Sequence, residues 1–437
     1  MPLTRENIRK QCEFAQQKTQ AIVSFVVPEI QDKGRFKDIR IALKDNISLK
    51  GYPLQAGSKI LEGYQCPYDA TIVEKIKQEG GCIVAKTAMD ELGMGGSGNN
   101  DIHGPVIHPW DASRIPGGSS SGCAALVAVD GADVAVGTDT GDSIRKPASY
   151  MGLVGLKPTY GRISRFGIVP YASSMDTVGI LARSIEQVES VYDVLKGQDE
   201  RDLMTFLPKS LEKTSQKKQG LLRLAVFDSI SEDADPVLKA RLQKLIEQLE
   251  TKQTIKHVQM PQSLLALIDP VYTVIANAEA CSNHANLDGL RFGLSSKDQS
   301  VENIRSRGFS WEVKKRFLCG AYALHKENQE RLFIKAQKIR RKLVDAYASM
   351  FTEADIVFSL TTPDVAPLIS EYKEDTSIGL SYLKLSNFSG YPSISIPFGH
   401  KEGLPFGLHL AAKPCREDLL LKAAKMFSQV IQEMDHV

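Results

Sequence analysis

The sequence predicts an α/β protein, and three observations support this class. Of the 437 residues, 42% are hydrophobic and 24% are charged, without a long apolar run, which is typical of a soluble globular chain. Short apolar stretches of strand length alternate with stretches of helical periodicity. Loops rich in glycine, serine and asparagine follow several of the predicted strands, as in β-α-β units. Length alone would suggest two or three domains, but α/β enzymes of this size often form one, and we expect a single domain that spans residues 1–437.

The N-terminal half is predicted to begin with helix and to continue as alternating strands and helices. Its first strand is short and apolar and ends at Lys44 and Asp45, and a charged pair at the end of a buried strand indicates a site. In chain order, the predicted elements are a mostly helical segment over 1–38, a strand over 39–43, a helix over 70–80, a strand over 81–85, a polar loop over 93–104, a helix over 123–130 and a strand over 134–137.

The C-terminal half is predicted to follow a surface linker or insertion at 209–220, a polar run rich in lysine. A strand is expected over 222–227. Long amphipathic helices are expected over 235–249 and over 310–350, and the polar face of the second is rich in Lys and Arg.

Composition excludes several classes of function. The 54 Lys and Arg against 52 Asp and Glu give a formal charge of +2, so any RNA contact is expected to be local or made by a partner. The seven cysteines are scattered and include no Cys-x-x-Cys pair, which indicates neither a disulfide framework nor a metal site. The first twenty residues lack the apolar core of a secretory signal, and no transmembrane helix is predicted, so the expected location is the cytoplasm.

Two segments concentrate glycine and small polar residues: Gly-Gly-Ser-Ser-Ser-Gly at 117–122 and Gly-Thr-Asp-Thr-Gly-Asp-Ser-Ile-Arg-Lys-Pro at 137–147. One such cluster is more often only a loop. Two clusters, together with the strand-end Lys44, favour acyl transfer, because a serine nucleophile needs a base and the oxyanion needs free backbone NH groups. None of the eight histidines lies in either segment, which leaves two candidate bases: a histidine brought in from a distant segment, or a buried lysine of lowered pKa.

These residues resemble the motifs of the amidase signature family. The matching segments are 42–46 (Ala-Leu-Lys-Asp-Asn), 117–120, 141–149 and 155–159 (Gly-Leu-Lys-Pro-Thr), in the family's order and spacing. The resemblance implies an amidase-signature fold, an α/β/α arrangement with a central mixed sheet covered by helices on both faces. It also implies a catalytic core over 39–200 and a covering half over 221–437 that contributes residues for substrate binding.

The resemblance further implies a Ser-Ser-Lys triad. Ser143 matches the family's nucleophile, Ser119 the intermediary serine held by a cis peptide, and Lys44 the neutral lysine that accepts the proton. The backbone NH groups of residues 140–143, which include Thr140, Gly141 and Asp142, match the oxyanion hole. Four neighbours are expected to support these residues rather than react: Ser120, Ser121, Asp139 and Arg145.

Outside the triad, the chain resembles the A-subunit branch of the family at 161–179, 285–293, 312–316 and 387–397. The resemblance implies hydrolysis of free glutamine to ammonia, which a B subunit uses to amidate Glu-tRNA(Gln), Asp-tRNA(Asn) or both. It implies a heterotrimer with B and C subunits, misacylated tRNA and ATP with Mg²⁺ bound through the partner, and no cofactor on this chain. Arg316 matches the arginine that holds the glutamine carboxylate, and Tyr272 a tyrosine of the same pocket. A bacterial cytoplasm is expected, with the mitochondrial matrix as the alternative.

Four departures from the family pattern stand out. Asp142 replaces a glycine beside the nucleophile, and 117–122 contains one serine more than usual. Leu380 occupies the position of the aspartate that would bind the glutamine amino group, a role that Asp375 or Glu374 would take if a local deletion shifts the register. The segment before Lys44 is shorter than usual, so we expect a partner-facing element to be missing or supplied by another chain.

Four alternatives remain. The Gly-Ser-Ser-Ser-Gly run at 118–122 matches an α/β-hydrolase elbow with Ser120 as the nucleophile, but no buried strand precedes it. The Gly-x-Gly-x-x-Gly spacing at 93–98 follows a helical stretch rather than a strand, which disfavours dinucleotide binding. A stand-alone amidase for another small carboxamide and a non-catalytic scaffold are the remaining two.

Overall fold

A mixed β-sheet forms the centre of the protein. A computed structural model describes residues 4–206, 220–230, 233–294, 300–373 and 381–435, so most of the predicted linker at 209–220 lies outside the described residues. Within these residues the sheet has 11 strands. The strands are β1 (Ile22–Phe25), β2 (Arg40–Lys44), β3 (Cys82–Thr87), β4 (Val134–Asp139), β5 (Val154–Lys157), β6 (Thr177–Ala182), β7 (Leu224–Phe227), β8 (Ile255–Val258), β9 (Ile356–Leu360), β10 (Ser393–Lys401) and β11 (Leu404–Ala412).

Helices connect and cover these strands. In chain order they are α1 (Arg5–Thr19), α2 (Thr71–Gln78), α3 (Ser121–Ala128), α4 (Arg145–Tyr150), α5 (Ile185–Leu195), α6 (Pro236–Glu250), α7 (Gln262–Leu265), α8 (Ile268–Asn283), α9 (Val301–Gly308), α10 (Trp311–Leu324), α11 (Lys335–Met350), α12 (Lys384–Ser389) and α13 (Glu417–Asp435). Short 3₁₀ turns lie at Lys59–Leu61, Glu91–Gly93, Leu203–Thr205 and Asp228–Ile230, and a π-helical turn at Glu330–Ile334.

The strand order is β1-β3-β2-β4-β6-β5-β10-β11-β9-β7-β8. Strands β2, β3 and β4 are parallel neighbours near one end, β7, β8 and β9 are parallel neighbours at the other, and the strands between them pair antiparallel. Antiparallel pairing of β5 with β10 joins the N-terminal and C-terminal strands into one sheet. The C-terminal half therefore extends the sheet as well as covering it.

The two faces of the sheet carry separate hydrophobic cores, because successive side chains of a strand point to opposite faces. In β2, Ile41 and Leu43 belong to one core and Ala42 to the other. Helices α2, α5, α6 and α13 cover the first face. Helices α1, α3 and α4 cover part of the second face, and α8, α10 and α11 cover the rest. The predicted α/β class with a mixed sheet covered on both faces is confirmed.

Two sequence predictions were wrong in detail. The segment 1–38 is not mostly helical: α1 ends at Thr19, and β1 pairs with β3 at the sheet edge. The helix expected over 310–350 is two helices, α10 and α11, because the backbone becomes extended at His325. One unbroken helix of that length would extend about 60 Å. The break instead lets both helices pack against α8.

One helical stretch, Gln262–Asn283, is long and apolar enough to cross a bilayer by length and composition alone. Such a test also selects core helices. Within this stretch α8 contributes Ile268, Val271 and Ile275 to the hydrophobic core, where it packs against α10 and α11.

Candidate active site

The site lies where two parallel strands end side by side. Strands β2 and β4 pair with Leu43 opposite Val136, so Lys44 and the turn that follows Asp139 meet at one edge of the sheet. The carboxyl ends of parallel strands are a common place for active sites in α/β folds.

Lys44 is fully buried at this edge. Its Nζ lies 2.8 Å from Ser119 Oγ and 3.1 Å from Thr138 Oγ1. Burial lowers the pKa of Lys44 to about 8, against the opposing effect of nearby acidic groups such as Asp90 and Asp139. Burial therefore raises the neutral fraction of the amine above that of an exposed lysine, and the neutral form has a lone pair that can accept a proton from a hydroxyl.

Ser119 precedes α3, and the Gly118–Ser119 peptide bond is cis. The helix itself packs very close to the sheet: a Cβ on Gly122 would lie 2.6 Å from the Ala88 carbonyl oxygen. The next serine, Ser120, is buried, and its hydroxyl donates a hydrogen bond of 3.1 Å to the Thr138 carbonyl. Because this hydroxyl is already engaged, the contact argues against Ser120 as the nucleophile.

The turn at residues 140–143 follows β4 and leads into α4. The Thr140 hydroxyl donates to Asp176 Oδ1 at 2.7 Å and fixes the start of the turn. Within the described residues, the backbone NH groups of Gly141, Asp142 and Ser143 donate to no acceptor. Ser143 is 4% exposed, and its hydroxyl makes no hydrogen bond with any of the described residues. The turn thus offers free NH groups beside an unengaged hydroxyl, which is what an oxyanion hole and a nucleophile require.

A cavity of about 240 Å³ opens in front of Ser143. Arg316 and Tyr272 line the same cavity, although 44 residues of chain separate them from each other. The Tyr272 ring packs on the turn, since a Cβ on Gly141 would lie 3.1 Å from its hydroxyl oxygen. Arg316 projects from α10 and donates a 3.2 Å hydrogen bond to the Glu312 carbonyl. Ser143, Tyr272 and Arg316 therefore meet in one chamber.

Ser119 lies directly behind the wall of this cavity. Gly93 lines the cavity, and a Cβ placed on it would lie 3.9 Å from Ser119 Oγ. The glycine-rich run at 93–98 thus borders the site. A second cavity of about 220 Å³ shares Gly93 and Tyr171 but contacts neither Ser143 nor Arg316, so the first is the candidate active site.

The model of the amidase family matches residues 11–421. The chain belongs to the amidase family.

Several curated relatives of this amidase share one description, the A subunit of glutamyl-tRNA(Gln) amidotransferase. The relative from Sulfurihydrogenibium is 38% identical over 89% of this chain and 82% of its own length. The relative from Methanosarcina mazei is 39% identical over 91% of this chain and 85% of its own length.

Solved structures that resemble this chain include the same kind of subunit. The A subunit of the Thermotoga maritima glutamyl-tRNA(Gln) amidotransferase is 31% identical, with a TM-score of 0.77 over 97% of this chain and 91% of that one. A 6-aminohexanoate cyclic dimer hydrolase, 22% identical with a TM-score of 0.80 over 98% of this chain and 92% of that one, shows the shared fold alone.

A buried ionic network underlies the amidase turn. Arg145 binds both carboxylate oxygens of Asp139, at 3.0 and 2.9 Å, and donates to the Gly141 carbonyl at 2.7 Å. Both side chains are fully buried, and although burial alone would raise the pKa of Asp139, Arg145 lowers it to about 2. Asn387 joins the network through Arg145 at 2.7 Å. The sequence indicated a supporting role for Asp139 and Arg145 but not for Asn387.

Lys157 was not singled out from the sequence. It ends β5 fully buried, and burial lowers its pKa to about 7, with Arg145 acting in the same direction. The signal was available, because Lys157 ends an apolar strand as Lys44 does. Its Nζ donates to the Pro158 carbonyl at 2.9 Å, and it does not line the Ser143 cavity.

The resemblance implied that a residue between 374 and 380 binds the glutamine amino group. Leu380, Asp375 and Glu374 lie outside the described residues. Ser381 and Lys384, which follow them, line the cavity.

Proposed function

We propose that this chain is the glutamine-hydrolysing A subunit of a tRNA-dependent amidotransferase. It releases ammonia for the conversion of Glu-tRNA(Gln) to Gln-tRNA(Gln), of Asp-tRNA(Asn) to Asn-tRNA(Asn), or both. The observation that carries the proposal is the buried 2.8 Å contact between Lys44 and Ser119, directly behind a cavity that Ser143 and Arg316 share. Similarity to A subunits over about nine tenths of the chain supports the choice of glutamine.

In the proposed mechanism Ser143 attacks the carboxamide carbon while its proton passes through Ser119 to neutral Lys44. The NH groups of the turn, at Gly141 and Asp142 in particular, stabilise the oxyanion. The proton then moves to the leaving ammonia. Water hydrolyses the acyl-enzyme by the same relay in reverse and regenerates the Ser143 hydroxyl.

Arg316 is proposed to bind the substrate carboxylate, for which a planar guanidinium with paired donors is suited. Tyr272, packed on Gly141, would hold the substrate side chain against the turn.

The proposed assembly is a heterotrimer with B and C subunits. The B subunit would bind the misacylated tRNA and would use ATP and Mg²⁺, while this chain needs no cofactor for hydrolysis. We place this reaction in a bacterial cytoplasm, with the mitochondrial matrix as the alternative.

The test is ammonia release from glutamine by the purified chain, alone and with its B and C subunits. Ser143→Ala is the blank and is expected to abolish release. Ser120→Ala is the matched control, because Ser120 lies in the other serine segment; it is expected to lose less than about tenfold, the scale of one supporting hydrogen bond.

Ser143-dependent release that rises with the partner subunits supports the proposal. No release from glutamine, with Ser143-dependent release from other small carboxamides, would establish a stand-alone amidase. The presence of Leu380 in place of the aspartate that would bind the glutamine amino group favours this alternative. Activity lost in Ser120→Ala but kept in Ser143→Ala would identify the hydrolase elbow instead.

A further inference from the structure

The oxyanion turn of this protein carries a charge of the wrong sign. Asp142 places a carboxylate in the turn whose NH groups face the reacting carbonyl in the proposed mechanism, and it lines the same cavity as Ser143. A negative charge close to the place where an oxyanion forms destabilises the transition state, and it does so most strongly in a site that excludes water.

A lysine side chain pairs with this carboxylate. Lys146 follows at the next turn of helix, and its Nζ lies 2.6 Å from Asp142 Oδ2. The side chains of Lys146 and Asp142 are 4% and 15% exposed, so water screens the pair weakly. Burial alone would lower the pKa of Lys146, but the Asp142 carboxylate raises it, so the ammonium stays charged.

The surrounding chain leaves room for this ammonium. Gly96 in the glycine-rich run forms the facing wall, and a Cβ there would lie 2.5 Å from Lys146 Nζ and 2.8 Å from the Tyr372 hydroxyl. Within the described residues, Lys146 is the cation that pairs with Asp142. The absence of a side chain at Gly96 therefore leaves the space that Lys146 needs to reach Asp142.

We propose that Lys146 is a positioning residue for amide hydrolysis: it compensates the charge of Asp142 so that the oxyanion turn can bear a negative charge. The inference rests on the proposed role of Ser143 as the nucleophile. It makes Asp142 and Lys146 one unit, so that the lysine is required only while the aspartate is present.

The test is a double-mutant cycle with Asp142→Asn and Lys146→Met, measured as kcat/KM for p-nitrophenyl acetate and corrected with Ser143→Ala. This ester is neutral, so cavity charge affects its binding little, and its acyl transfer passes through the same kind of oxyanion. It also separates the two proposals, because acyl transfer at Ser143 is measured even if glutamine is not the substrate.

Lys146→Met alone is expected to lower kcat/KM about 100-fold, the scale of one lost electrostatic contribution to an oxyanion. Asp142→Asn alone is expected to raise it, because the adverse charge is removed while the ammonium remains. The double variant is expected to lie within about fivefold of the wild type, since the effects of coupled residues are not additive.

A matched control cycle uses Lys77 and Asp69, which pair at 2.7 Å outside the cavity; it should show no coupling in kcat/KM. A double variant as slow as Lys146→Met would overturn the inference, because the lysine would then act without reference to Asp142. Full activity of Lys146→Met would overturn it too. Rescue by the second substitution excludes misfolding as the cause of the loss. If the wild type hydrolyses this ester no faster than Ser143→Ala, the same cycle is measured on ammonia release from glutamine. A wild-type rate equal to that of Ser143→Ala with both substrates would reject the nucleophile assignment and this inference together.

Discussion

Raising the pH from about 6 to about 10 is expected to accelerate hydrolysis through the titration of Lys44. Only the neutral amine can accept the proton that Ser119 passes on, so the rate follows the deprotonated fraction. Because the pKa of Lys44 is lowered to about 8, kcat/KM should rise tenfold for each pH unit well below 8 and level off above it.

The size of the effect follows from that pKa. At pH 7, about 10% of a group with a pKa near 8 is neutral, against about 0.03% of a lysine with its ordinary pKa, a difference of about 300-fold. In the proposed mechanism, burial therefore increases the neutral fraction of the base by about that factor at neutral pH.

The assay is the initial rate of ammonia release across this pH range, with stability checked at each pH. Lys75→Met is the matched control: Lys75 also has its pKa lowered by burial, but it donates to the carbonyls of Leu195 and Lys196 outside the site. Its variant should keep the midpoint of the profile. A flat profile, or a midpoint near 6.5 as for histidine, would refute the role of Lys44 as the base.

Three further outcomes are expected. Arg145→Gln should lower the free energy of unfolding by about 3–5 kcal/mol in urea titrations, because it leaves the buried Asp139 carboxylate without its cation; a loss below about 1 kcal/mol contradicts this. Arg316→Lys should raise KM for glutamine by at least about tenfold while kcat changes less, since the planar fork is lost; unchanged KM contradicts carboxylate binding. Glu91→Ala should also raise KM for glutamine, because Glu91 accepts a hydrogen bond of 3.1 Å from the Ser310 NH at the start of the helix that carries Arg316. The same change should lower the free energy of unfolding by about 1–3 kcal/mol. Glu91→Gln should restore part of the affinity and part of the stability.

The part of the site that local sequence could predict is the part built from neighbouring residues. Apolar runs located β2 and β4, and their ends placed Lys44 and the turn at 140–143. The physical reason is that a buried strand needs consecutive apolar residues, whereas the turn after it needs small residues whose NH groups can remain free of strand pairing.

The remaining part depends on contacts between distant segments. Arg145 meets Asn387 across 242 residues of sequence, and no local pattern encodes that meeting. The β10–β11 hairpin, which links the two halves of the sheet, was not predicted either. The helix expected over 310–350 is broken at His325 because both of its parts must cover α8, a requirement set by tertiary packing rather than by helical periodicity.

Two neighbouring buried lysines differ in their partners, and the difference fits the proposed role of Lys44 as the base. Leu43 and Lys44 of β2 pair with Lys86 and Thr87 of β3, so the two lysines lie on adjacent strands, and both are fully buried. Lys86 has the Asp45 carboxylate at 2.8 Å, which offsets its charge. Lys44 has two hydroxyls and a carbonyl within 3.4 Å and, in the described part of the chain, no carboxylate partner. Burial lowers the pKa of Lys44, and it is this lysine, which has no carboxylate partner among the described residues, that contacts Ser119.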